Sequence, residues 1–83
     1  MTRLFADPIP VRIERYEGEV VAVRLGRARL AVAEVVRHWR VDAEWWNEGP
    51  ARDYLTLRTV DGLLLELFGD RRTGEWHLQR MFD

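Results

Sequence analysis

Leu55 to Phe68 reads LTLRTVDGLLLELF, and the fold follows from this stretch. Leu55, Leu57 and Thr59 alternate with Thr56 and Arg58. Leu63, Leu65 and Leu67 then alternate with Leu64, Glu66 and Phe68. A period of two sends successive side chains to opposite faces, which marks a half-buried strand. Asp61-Gly62 joins the two runs and predicts a type I′ turn, whose two central residues both need positive φ.

The pattern extends outward in both directions. Ile9, Val11 and Ile13 alternate with Arg12 and Glu14, and Glu17-Gly18 turns the chain. Val21, Val23 and Leu25 alternate with Ala22 and Arg24. Gly26-Arg27 places Gly first, as a type II′ hairpin requires. Leu30 and Val32 continue the alternation. Beyond a longer loop from Asp70 to Gly74, Trp76, Leu78, Arg80 and Phe82 close the chain. About six strands of roughly six to nine residues result, paired mostly with their neighbours. Short antiparallel strands hide their edges best by curling into a closed surface. The sequence therefore predicts an all-β fold, a small SH3-like barrel. A strongly twisted antiparallel sheet is the alternative.

Ala31 to Val41 interrupts the alternation, with Val35 and Val36 adjacent. A β-bulge would do this, and a helical turn is the rival. Val and Trp favour extended surfaces, so a long bent strand is expected. A barrel also needs a strand that bends from one sheet to the other.

The chain has 83 residues, which is one domain spanning 1–83. A domain this size has a thin core. Cysteine is absent, so neither disulfides nor thiolate zinc sites can reinforce it. Four Trp, three Phe and two Tyr must supply the buried area. All 13 basic residues are arginine, yet the net charge is only −1. That balance argues against a generally nucleic-acid-binding surface. No apolar run reaches the ~20 residues that a spanning helix needs, and the N-terminus lacks signal-peptide character. No membrane association is expected, and a cytoplasmic location is the default.

Residues 38–52, HWRVDAEWWNEGPAR, hold three of the four tryptophans. They read as a connector carrying a short helical turn. Asp42 is the candidate N-cap, Glu44 suits the first turn, and Gly49-Pro50 ends it. Trp45 and Trp46 are adjacent, so they point in different directions. Trp39 and one of the pair are expected to plug the core. The other is left for solvent or a partner, with Arg40 and Arg52 nearby. Trp and Arg are the usual anchors of interfaces.

Catalytic chemistry finds little footing. Asp42, Glu44, Glu48 and Asp53 could pair as acid and base, but no nucleophile with its base and no Gly-rich phosphate loop accompanies them. His38 and His77 show no ligand spacing. No cofactor, no metal and no enzymatic activity are expected. The many acids and arginines read as cross-strand ion pairs.

The order Pro8–Pro10-Val11, Gly26-Arg27, Trp39-Arg40-Val41-Asp42, Trp45-Trp46, Arg52, Tyr54-Leu55, Asp61-Gly62, Gly74-Glu75-Trp76-His77-Leu78 and Phe82-Asp83 resembles a family of small bacterial domains of unknown function. Residues 39–83 are also similar to the C-terminal segment of the Y-family polymerase-like subunit of the bacterial mutasome. There the pattern ends in Tyr-Asp, whereas this chain has Phe82-Asp83, so any role of that hydroxyl is lost. The resemblance implies a non-catalytic accessory module linked to translesion DNA synthesis or DNA repair.

The candidate contact residues are Trp39, Arg40, Asp42, Trp45, Trp46, Arg52, Tyr54 and Trp76. Three functions follow. The first is an interaction module that binds another protein through the Trp connector and the neighbouring sheet edge. The second is single-stranded nucleic-acid binding through arginine and Trp on a barrel face. The third is a structural domain that self-associates into a homo-oligomer.

Overall fold

The computed structural model describes residues 2–41 and 51–82, with residues 2–6 as backbone only. Six strands run in chain order: β1 (Thr2–Tyr16), β2 (Glu19–Leu25), β3 (Ala28–Val41), β4 (Arg52–Thr59), β5 (Leu64–Asp70) and β6 (Trp76–Phe82). Each pairs antiparallel with the next, and β6 pairs back onto β1, so the ring closes as a barrel. The described residues contain no helix. The barrel is thus the form adopted, and the open sheet is not.

Two strands are longer than the alternation predicts. β1 has 15 residues and β3 has 14. Each serves two partners in succession. β1 pairs with β6 as far as Val11 and with β2 from Arg12 onward. β3 pairs with β2 over Ala28–Ala31 and with β4 over Val32–Val41. A small closed sheet needs such strands to turn its corners. β3 turns with two shifts of register, between Val32 and Glu34 and between Val35 and Arg37. The irregularity expected near Glu34 is therefore a bulged strand and not a helical turn.

The expected connector shrinks from both ends. His38–Val41 belong to β3, and Arg52 opens β4. The predicted cap at Asp42 and the helical turn around Trp45 and Trp46 lie outside the described residues.

The turns differ in kind. Glu17 and Gly18 have φ of 51° and 83°, as type I′ requires. Gly26 has φ of 59°, matching the first position of type II′. Asp61-Gly62 departs from expectation, because only Gly62 is left-handed, at 89°. The Gly62 amide donates to the Thr59 carbonyl, and the Thr59 amide donates to the Leu63 carbonyl. This is a type I turn over Val60-Asp61 closed by a glycine bulge, one residue longer than a type I′ loop. The extra residue fits because the Thr59 hydroxyl accepts the Leu63 amide at 3.0 Å.

Val11, Val23, Leu55, Leu57, Leu65, Leu67 and Leu78 form the core, with Ile9, Ile13, Leu25, Leu30 and Met81 packed around it. Registration builds it in rows. Leu55, Leu67, Leu78 and Ile9 lie side by side across β4, β5, β6 and β1, and Leu57, Leu65 and Met81 form the next row. Full burial of each leucine contributes about 1.5–3 kcal/mol.

Trp76 closes one end of these rows. It packs on the core cluster opposite Gly69, its registered partner. A Cβ at Gly69 would fall 2.7 Å from the indole, so only glycine leaves room for the ring. Gly69→Ala should therefore lower stability by about 1–3 kcal/mol in urea unfolding, the usual cost of overpacking. Trp76→Leu in the same chain should remove most of the added cost. Equal losses in both backgrounds would show that the close approach is not the cause.

Glu14 ties three strands together. Its carboxylate accepts from Arg24 of β2 at 2.8 Å and from Arg29 of β3 at 3.1 Å. The Arg24 hydrogen bond, aided by Arg29, holds the carboxyl below its ordinary value of 4.5 against partial desolvation. A carboxyl lowered on folding contributes stability above its unfolded pKa and loses it as pH falls through the folded value. Glu14→Gln should lower the urea midpoint at pH 7, and the gap to the parent should narrow below about pH 4.5. A gap that does not change with pH would refute this role for Glu14.

Candidate interaction surface

Alternation against the core rows determines what faces outward. Tyr54 precedes Leu55, Phe68 follows Leu67, and His77 precedes Leu78. All three therefore point away from the core, and registration aligns them. Trp39 pairs with Tyr54, Tyr54 with Phe68, Phe68 with His77, and His77 with Pro10. An aromatic row thus crosses the outer face of four strands.

The rings are in contact. Trp39 and Tyr54 stack nearly parallel, with centroids 5.0 Å apart and planes 6° apart. Tyr54 tilts toward Phe68 at 6.3 Å. Phe68 stacks on His77 at 5.2 Å. Offset stacking of this kind adds about 0.5–1.5 kcal/mol per pair beyond burial. Phe68 is only 8% exposed although it faces outward. The Arg52 guanidinium lies 4.4 Å from its centroid, and Arg37 lies 4.6 Å from that of Trp39. Among the described residues, the buried His77 Nδ1 has no hydrogen-bond partner.

The structure divides the sequence-predicted residues into three groups. Trp39, Arg52 and Tyr54 come together on the outer row. Arg40 lies on the opposite side of β3, where it pairs with Asp53 at 2.9 Å. Trp76 is half-buried against the core and is no free anchor. Asp42, Trp45 and Trp46 lie outside the described residues. Trp39 was expected in the core and is instead outside, because the register of β3 beyond its second bulge pairs it with Tyr54, on the face away from Leu55. Arg37, Phe68 and His77 were missed. Their parity was legible, since each strand alternates, but their alignment depended on the register between strands.

A second opening lies between β2 and β3. These strands pair only over Ala22–Leu25 and Ala28–Ala31, then diverge. The cleft between them, about 620 Å³, is lined by Val20, Val35, His38, Arg40, Asp53 and Trp76 among others. The adjoining edge of β3 carries both bulges, which blunt it against strand addition. The outer row is therefore the better-formed surface.

Among the described residues, no group of three or more His, Asp or Glu lies together as metal ligands, and no helix is long and apolar enough to cross a membrane. Comparison with protein-family models, with curated proteins and with solved structures finds no match.

Removing either ring of the stacked pair should uncouple the other. Trp39→Ala, Tyr54→Ala and the double variant, compared by urea unfolding, should give a coupling of about 0.5–1.5 kcal/mol. Additive losses would mean that the stack contributes nothing beyond area.

Proposed function

We propose that this chain is a non-catalytic interaction module that binds another protein through the outer aromatic row. The observation that carries this is the Trp39–Tyr54 stack on an outward face, with Arg37 and Arg52 beside it. Trp, Tyr and Arg are the residues that dominate interface energetics. Stacked, rigid rings lose little entropy when a partner covers them, which favours their use as anchors. The core occupies the inner face, so the outer face is the surface left for recognition. The likeness to the mutasome subunit's C-terminal segment suggests the setting, translesion DNA synthesis, and makes mutasome proteins the first partners to try.

Nucleic-acid binding is supported less well. Base recognition on a sheet uses free aromatic faces. Here Trp39 is stacked on Tyr54 and Phe68 on His77, with guanidinium groups over both Trp39 and Phe68.

Immobilised chain should capture a mutasome protein, and Trp39→Ala or Tyr54→Ala should reduce capture at least tenfold with the far-ultraviolet circular dichroism unchanged. Tyr16→Ala is the control, since Tyr16 is 69% exposed and lies away from the row. Equal capture by all variants would remove the row from the interface. Quenching of Trp fluorescence by an oligothymidylate at low salt would favour nucleic acid instead.

A further inference from the structure

The partner's chemistry can be read from the charges around the stack, given that the row is a protein-binding face. Arg37 stands two residues before Trp39 on β3, and Arg52 stands two residues before Tyr54 on β4. The strands are antiparallel with Trp39 opposite Tyr54, so the two arginines lie on opposite sides of the stacked pair. Arg37 is level with Thr56, and Arg52 is level with Val41. Four residue steps of extended chain separate those levels, about 13 Å at a strand's rise.

These two arginines differ from their neighbours. Arg58 is paired with Glu34 and Arg80 with Glu66 on the same outer face. Arg40 is paired with Asp53 on the other side. Arg37 and Arg52 instead lie on aromatic rings, and Arg52 stands beside Asp70, its registered partner on β5. A guanidinium lying on a ring keeps its in-plane N–H donors available, and that fork matches a carboxylate bidentately. The face therefore presents two cationic forks, one on Trp39 and the other on Phe68, with Tyr54 between those rings.

We propose that the partner is an extended acidic segment, with carboxylates on both sides of an apolar or aromatic residue. In an extended chain, residues two apart share one face, so acids on either side of a central residue can meet both arginines. The central side chain lies against the edge of the Trp39–Tyr54 stack. The carboxylates close on Arg37 and Arg52. Phosphates also match the forks, but a nucleic acid gains no base stacking on rings already stacked on one another.

The test uses the full chain and a displayed library of random nine-residue peptides, with a twelve-nucleotide oligothymidylate in parallel. Selected peptides should be enriched in Asp or Glu on both sides of an aromatic or large apolar residue. Arg37→Gln and Arg52→Gln should each weaken those peptides about tenfold, the scale of one charge-assisted hydrogen bond. Added salt should weaken them further. Arg37 is exposed and Arg52 half-buried, and unchanged circular dichroism will confirm that the variants fold. Selection of peptides without the flanking acids, still lost in Trp39→Ala, would overturn the acidic partner and leave the protein-binding face standing. Binding of the oligonucleotide with no peptide selected would overturn both. A dimer mass in light scattering that is lost in Arg37→Gln would assign the face to a second copy and overturn the acidic segment.

Discussion

Leu55, Leu67 and Leu78 stand in register across β4, β5 and β6, and all three are buried. Everything on the outer face depends on that row. A strand's side chains alternate strictly, so once these leucines turn inward their neighbours must turn outward. Tyr54, Phe68 and His77 are those neighbours, and the register that packs the leucines also aligns the aromatics. A slip of one residue in any pair would exchange the two faces. The core and the candidate binding surface are thus two sides of one registration.

Closure imposes a second constraint. Six short strands cannot bury both faces, so the barrel uses β1 and β3 to turn its corners. The bulges in β3 do more than bend it. Each shifts the register by one residue, so the two cancel in facing but together place Trp39 level with Tyr54 and Arg40 level with Asp53. The same bulges blunt the edge where β3 leaves β2. Corner geometry and surface chemistry are set at the same residues.

Gly69 and Trp76 show how tightly the end of the barrel is drawn. The indole occupies the space where a side chain at position 69 would stand. This explains why a residue that looked like a surface anchor belongs to the packing. Trp39, which looked like a core residue, belongs to the surface for the opposite reason. Size alone did not separate them. Strand parity did, once the bulges were placed.

Much of this was legible in the residues. Alternation of Leu, Val and Ile against Arg, Glu and Thr determined six strands, because a period of two permits no other regular structure. The dipeptides Glu17-Gly18 and Gly26-Arg27 determined their turns, because only certain residues tolerate positive φ there. The Asp61-Gly62 loop was located correctly and typed wrongly, since its length depends on the Thr59 side chain as well as on its own residues. The tertiary structure alone decided which aromatics meet. Trp39, Tyr54, Phe68 and His77 come from four strands, and no local pattern specifies the register between them. That register is set by packing in the core, which the chain acquires only when the barrel closes.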